Sequence, residues 1–385
     1  MNSKIKVLQV IPKLGYGGAE TGCYDLAHYL VEKDCSSFIA TSGGQLLKFV
    51  KKEKVKVFRL PVHSKNLLLI IFNTIILSLL ILVNKINIVH ARSRAPAWSC
   101  YLACLITRRN FVTTFHGTYN FNNKIKKFYN SVMLRSKLTI AGSNFIFNHI
   151  SESYSEYLSG KKKLRVIFRG INIDFYNKKN ISILKQENLK REWELFPNRF
   201  TILMPGRLTN WKGQEKFIEA LNILVEDYNN SKFQAIILGS DQGRTVYKKK
   251  LVNLIQRYRL NKKIKFVDHC KEMPLAYSIA DSVVSSSIEP EAFGRVSVEA
   301  QAMEKPIIAS NLGGSKETIL NKKSGFLYKH DDPRELANIL NTVIELEQDA
   351  LNSIGNEGRK NVIKKFDVEA MCDSTLREYK KLLNI

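Results

Sequence analysis

The sequence has no Cys-x-x-Cys pair. Its six cysteines, Cys23, Cys35, Cys100, Cys104, Cys270 and Cys372, are scattered over 385 residues. That excludes zinc ribbons and thioredoxin-type redox motifs and fits a reducing compartment. Collagen-like and low-complexity stretches are absent too. Apolar residues make up 44% and charged residues 25% of the chain, a globular composition. The opening segment Met1–Val10 lacks the apolar region and small-residue cleavage site of a secretory signal, so a cytoplasmic location is expected. There is no Asp-x-Asp motif. Asp331-Asp332 reads as a helix start, and no metal site is expected.

Acidic residues are scarce in one half. None occurs between Glu53 and Glu152, where fourteen basic residues stand. Residues 1–170 carry 26 Lys/Arg against 7 Asp/Glu, a net of +19, whereas the remainder holds 34 against 28, a net of +6. One half therefore carries most of the +25 charge and calls for an anionic partner: nucleic acid, a membrane surface or an acidic substrate. No nucleic-acid reader motif is present.

The length suits two domains of about 100–200 residues. Short apolar segments alternate with helical ones throughout. Strands are expected at Lys6–Ile11, Ser37–Thr41, Lys56–Leu60, Ile86–Ala91, Asn110–Thr114, Leu138–Ala141 and Lys163–Phe168. A polar stretch at 177–199 follows. A second set is expected at Thr201–Pro205, Gln234–Leu238, Lys263–Val267, Ser282–Ser286 and Pro306–Ala309. Strands separated by helices imply parallel sheets. The expected fold is two doubly wound, Rossmann-like α/β domains facing across a cleft. The boundaries are set at 1–172, 173–365 and a last helix at 366–385 that packs on one of the domains. Ligands in such sheets bind beyond the carboxyl ends of the strands.

Leu67–Val83 is 17 residues long and nearly all apolar. At about 1.5 Å per residue it is slightly short for a bilayer core of about 30 Å. It stands between two strands of one sheet, where a crossover helix is needed. A crossover helix with an apolar face on the membrane surface is expected; a transmembrane helix and a wholly buried one are the alternatives.

The most informative segment is Glu289-Pro-Glu-Ala-Phe-Gly-Arg-Val-Ser-Val-Glu-Ala300. It follows an apolar strand and opens a helix. A helix N-terminus offers free N–H groups and partial positive charge to a phosphate, and Gly294 allows close backbone approach. Glu291 is expected in the loop, and Glu299 about two turns into the helix, where its carboxylate can accept from a ribose diol. Gly15-x-Gly17 lacks the third glycine of a dinucleotide fingerprint.

The spacing of Glu291 and Glu299 resembles the E-x7-E element of retaining glycosyltransferases with the GT-B fold, in particular the GT4-type family. Further matches lie in order along the chain: Gly17-Gly18-Ala19-Glu20, Thr114-Phe-His116-Gly-Thr118, Pro205-Gly-Arg207-Leu-Thr-Asn-Trp-Lys212-Gly213, and Gly313-Gly314 with Glu317. The resemblance implies a nucleotide-diphosphate sugar as substrate and no cofactor or divalent metal. It implies that Arg207 and Lys212 clamp the diphosphate, and that Glu299 holds the ribose. Glu291 meets the transferred sugar near Phe293 and Gly294. His116 lies beside sugar and acceptor, with Gly17 and Gly18 giving close approach. The base would be read near Gly239-Ser240 or Val267–Cys270.

His90-Ala-Arg92-Ser-Arg94-Ala-Pro-Ala-Trp-Ser99, with the Glu289 segment, is similar to bacterial lipopolysaccharide-core transferases, often described as mannosyltransferases. That favours GDP-mannose as donor and a glycolipid acceptor whose anionic group meets Arg92 and Arg94. The basic domain is expected to rest on an anionic membrane surface at the cytoplasmic face, with Lys124, Lys126 and Lys127 as contacts. A sugar-nucleotide hydrolase or epimerase, or a nucleic-acid-binding protein using the basic half, are the alternatives.

Overall fold

The structure, a computed structural model, describes residues 5–158 and 164–385. It divides into two compact units, Met1–Gly170 with Val368–Ile385, and Ile171–Asp367. Both are parallel sheets flanked by helices, as the alternation of elements predicts.

The first unit holds β1 (Lys6–Ile11), β2 (Ser36–Thr41), β3 (Val55–Arg59), β4 (Ile88–Ala91), β5 (Asn110–Phe115), β6 (Leu138–Ala141) and β7 (Leu164–Val166). They are ordered β3-β2-β1-β4-β5-β6-β7. Lys163, expected to open the last strand, lies outside the described residues. The second unit holds β8 (Phe200–Pro205), β9 (Phe233–Leu238), β10 (Ile264–Val267), β11 (Ser282–Ser285), β12 (Ile307–Ser310) and β13 (Gly325–Tyr328), ordered β10-β9-β8-β11-β12-β13. Every residue of β9 is buried, as a parallel strand covered on both faces requires. Strand order reverses between β1 and β4, and again between β8 and β11. These are the switch points where a doubly wound sheet opens a crevice.

Two elements went unread in the sequence. The polar stretch contains a helix, Ile183–Glu192, whose only buried residue is Leu189. The edge strand β13 is four residues long.

The last helix, Val368–Leu383, belongs to the first unit. Cys372, Leu376 and Tyr379 share one core with Val7, Leu30, Val112 and Ile140. Asp332 caps the helix Pro333–Ile344, accepting from the Arg334 and Glu335 N–H groups.

Leu67–Val83 is a crossover helix between β3 and β4. Its buried face carries Ile70, Leu77 and Ile81 together with three polar residues. Asn73, Thr74 and Ser78 are on the buried face. Asn73 Nδ2 donates to Pro61 O, and the Thr74 and Ser78 hydroxyls donate to backbone carbonyls four residues earlier. Leu67, Leu68, Ile71, Phe72, Ile75, Leu79, Leu82 and Val83 are exposed. The helix is therefore not wholly buried. No helix among the described residues is long and apolar enough to cross a membrane.

Candidate functional site

In the second unit, two loops meet where β8 and β11 lie side by side. After β8, a short turn at Asn210–Lys212 ends on Gly213, which has φ +71°. A Cβ there would lie 1.9 Å from the Ser286 carbonyl oxygen, so only glycine permits this approach. The Ser286 hydroxyl donates to the carbonyls of Lys212 and Gly213 at 3.2 and 3.0 Å. The β8 loop is thereby pinned against the β11 loop.

That contact brings Lys212 to Glu291. Lys212 Nζ lies 2.7 Å from Glu291 Oε1, with side chains 13% and 10% exposed. The Ser287 hydroxyl donates to the same oxygen at 2.6 Å. Burial pushes the Glu291 carboxyl up, but the Lys212 ammonium and the hydroxyls of Ser287 and Ser285 outweigh it and hold the group below the usual glutamate value. The ammonium also sits 4.4 Å from the Trp211 ring centroid. Arg207 is exposed on the same β8 loop, and its carbonyl accepts from Gln214 Nε2.

The β11 loop closes on Gly294, at φ +83°, before the helix Arg295–Ala302. A Cβ on Gly294 would lie 2.7 Å from Ser315 Cα. No side chain caps this helix, so its first N–H groups remain available to a ligand. Phe293 is buried and packs edge-on against Phe366. The loop after β12 supports the turn, with Gly314 N donating to Glu291 O at 2.6 Å.

Glu299 differs from its expected placement. The helix starts at Arg295, so Glu299 is little more than one turn in, not two. Its carboxylate is buried and largely engaged. Tyr176 and Tyr277 hydroxyls donate to its two oxygens at 2.8 Å each, and Arg295 Nε donates at 2.5 Å. Three of roughly four lone-pair sites are used, leaving room for about one more donor. The two tyrosines and Arg295 are site residues that the sequence reading missed. Tyr176 is 123 residues away in the chain, so no local spacing points to it.

The expected base-reading residues fall on the same edge of the sheet. Gly239 N donates to Val267 O at 2.8 Å, and Leu208 N to Ser240 O at 3.1 Å.

In the first unit, the loops after β1, β3, β4 and β5 line a cavity of about 340 Å3, with His63 contributed by the loop after β3. Arg92 and His116 both line it. Among the described residues, neither ring nitrogen of His116 has a hydrogen-bond partner. Burial, and then the charges of Arg92 and Arg169, hold the His116 imidazole well below its ordinary pKa, so the ring is neutral near pH 7. One strand away, His90 is fully buried. Its Nδ1 shares a 2.6 Å hydrogen bond with the Tyr379 hydroxyl, and its Nε2 a 2.7 Å bond with Thr114 Oγ1.

The structure places Arg94 apart from Arg92. Arg94 donates to Asn130 Oδ1 at 3.0 Å and lies over the Tyr119 ring at 4.2 Å. It braces a local loop and does not line the cavity. Gly17 and Gly18 open the helix Gly18–Glu32, but the space each lacks a side chain to fill is occupied. The Glu20 carboxylate lies over Gly17, and the Arg169 guanidinium lies 2.8 Å from a Cβ position on Gly18. Arg169 is a further residue the sequence reading missed.

Of the three lysines, Lys124 and Lys126 are exposed and Lys127 is paired with Glu156 at 2.6 Å. Exposed Ile125 and Phe128 stand among them.

The family described as Glycosyltransferase Family 4 matches residues 16–175, and that described as Glycosyl transferases group 1 matches residues 185–361. The crystal structure of a glycosyltransferase from Rickettsia africae ESF-5 is 36% identical, with 99% of each chain covered and a TM-score of 0.90. The chain belongs to the GT4-type glycosyltransferases of GT-B fold. Spore coat protein SA of Bacillus subtilis (strain 168) is 25% identical over 308 residues, 77% of this chain and 79% of its own. Anabaena Alr3699/HepE, solved in complex with UDP-glucose, shares the fold at 23% identity, covering 98% of this chain and 100% of its own, with a TM-score of 0.82. The transferase thus has a family-typical pair of sheets, each with a furnished edge.

Proposed function

We propose that this transferase moves a sugar, with retention of configuration, from a nucleotide-diphosphate sugar to an anionic glycolipid at a membrane surface. The carrying observation is the Lys212–Glu291 pair beside an uncapped helix N-terminus. Cleaving the glycosidic bond leaves growing negative charge on a diphosphate. A preorganised cation and helix N–H groups stabilise that charge. Lys212 and Arg207 serve the diphosphate, supplying the charge that a divalent ion supplies in other transferases. Glu291 accepts from hydroxyls of the transferred sugar, and Glu299 takes one ribose hydroxyl on its remaining lone pair. The first unit serves the acceptor through the cavity holding Arg92 and neutral His116.

The membrane reading is supported by the outward apolar face of the helix Leu67–Val83 and the basic charge of the same unit. A contiguous exposed apolar patch marks an interaction surface, and basic residues nearby favour anionic lipid by about 1 kcal/mol each. GDP-mannose is the first donor to test, on the resemblance of the His90–Ser99 segment. UDP-glucose is the second, because a neighbour of the same fold holds it.

The test is transfer of radiolabel from either donor to lipopolysaccharide-core lipid carried in anionic vesicles. Label in the lipid fraction is the expected result. Release of free labelled sugar alone, at the same rate with and without vesicles, would mean a hydrolase and contradict the proposal.

A further inference from the structure

Glu299 is buried, and donors from three separate segments converge on its carboxylate. Tyr176 belongs to the stretch that opens the second unit, Tyr277 to the helix Met273–Ser278, and Arg295 to the first turn of the helix that carries Glu299. A buried charge demands such partners, whereas an apolar side chain in the same place would need none of them.

The donors divide unequally between the two oxygens. The Tyr176 hydroxyl donates to Oε1 at 2.8 Å, and Arg295 Nε donates to the same oxygen at 2.5 Å. The Tyr277 hydroxyl donates to Oε2 at 2.8 Å. A carboxylate oxygen accepts about two hydrogen bonds. Among the described residues, Oε1 is therefore filled and Oε2 keeps one acceptor position. Burial and the Glu299 charge push both tyrosine hydroxyls well above their ordinary pKa, so both stay protonated and donate. Tyr176 is itself fixed. Arg359 Nη1 donates to the Tyr176 carbonyl at 3.0 Å and to the Ala302 carbonyl at 2.5 Å. That clips the Tyr176 segment to the helix that carries Glu299. Lys178, two residues on, pairs with Glu304 just beyond the end of the same helix. The Tyr176 ring also stands edge-on to Tyr277, with centroids 6.2 Å apart.

We infer that Tyr176, Tyr277 and Arg295 are positioning residues that make Glu299 a single-point acceptor: the nucleotide ribose is read at one hydroxyl, on Oε2, and this carboxylate does not read the neighbouring hydroxyl. A carboxylate with both oxygens open takes a vicinal diol on two hydrogen bonds; filling Oε1 removes that mode. Holding the side chain in one orientation before the ligand arrives also removes its ordering from the cost of binding. The inference rests on the donor reading given above, which supplies the nucleotide.

GDP, UDP and ADP are titrated calorimetrically into the full-length protein, followed by the 2′-deoxy and 3′-deoxy forms of the one that binds. In the wild type, one deoxy form is expected to bind at least tenfold more weakly than its parent, through loss of a hydrogen bond to a charged acceptor. The other is expected to bind within about threefold of the parent. Tyr176→Phe keeps the ring and removes only the hydroxyl. It is expected to weaken the parent diphosphate several-fold and to bind the weaker deoxy form as the wild type does. Equal weakening of parent and deoxy form, or no weakening of either, would make Tyr176 a brace of the fold alone and overturns the inference. So does a tenfold loss with both deoxy forms, which means that the diol is read, or with neither. Should Tyr176→Phe fail to fold, Tyr277→Phe is expected to give the same pattern, and the comparison of the two deoxy forms needs no variant. The donor reading can be told apart. No diphosphate binding to the wild type overturns that reading and this inference with it. A diphosphate that binds the wild type and weakens in Lys212→Ala, yet shows no deoxy effect, leaves the donor reading standing and overturns this inference alone.

Discussion

At the residue scale, the proposed donor site turns on the pair Lys212 and Glu291. Lys212→Ala is expected to lower turnover at least tenfold, because it removes the cation that receives the leaving diphosphate. It also strips Glu291 of the charge that holds its pKa down. The carboxyl of that variant should titrate higher than in the wild type, while the fold persists. Turnover equal to wild type would contradict the role given to Lys212. These two residues were legible because the Pro205–Gly213 segment and the spacing of Glu291 and Glu299 resemble family motifs. The hydroxyls and guanidinium that hold Glu299 were not legible. Tyr176 and Tyr277 reach it from distant segments, and burial, not spacing, selects them.

A second residue-scale prediction concerns acid stability. Burial, then Arg92, holds the His90 imidazole well below its ordinary value. The unfolded chain takes up a proton below about pH 6.5 that the folded state refuses. Stability present above that pH is therefore lost as pH falls toward the folded pKa, by about 1.4 kcal/mol per pH unit once the unfolded imidazole is charged. His116 acts in the same direction. Denaturant unfolding between pH 7 and 5 should show a shallower loss in His90→Gln than in the wild type. Parallel pH profiles would show that His90 is not held neutral.

At the scale of elements, the strands were read within one or two residues of their ends because parallel strands covered on both faces are unbroken apolar runs. The edge strand Gly325–Tyr328 is too short to give such a run. The helix Ile183–Glu192 buries one residue and so leaves no periodic signal. The helix Leu67–Val83 shows the limit of composition. Its extent was legible, but which face turns inward was not. Asn73, Thr74 and Ser78 pack inside beside Ile70, Leu77 and Ile81, where short side chains allow close contact, and the other large apolar residues are left outside. Replacing Ile71, Phe72, Ile75 and Leu79, which are about half exposed, by serine should lower the melting temperature but leave the protein folded at room temperature. It should abolish co-sedimentation with anionic vesicles. Unchanged sedimentation would remove this helix from the proposed membrane face.

At the scale of the whole molecule, charge and chemistry divide along the chain. The basic unit, with a net of +19 over residues 1–170, is proposed to meet the anionic acceptor. The second unit, less basic with a net of +6 over residues 171–385, is proposed to hold the donor. The division was visible by counting charges. Its physical basis is that an anionic surface attracts a basic one over about a Debye length, whereas a diphosphate needs only a few fixed cations. The return of the last helix to the first unit was visible only in part. Its apolar spacing announced a packed helix, but not which core it completes.

The central claim is that the second unit binds the nucleotide diphosphate through Lys212. Calorimetric titration of GDP, UDP and ADP into the wild-type protein and into Lys212→Ala tests it most directly. The account predicts that one diphosphate binds the wild type and binds Lys212→Ala at least tenfold more weakly. Equal binding by both proteins, or no binding of any of the three by the wild type, would contradict it.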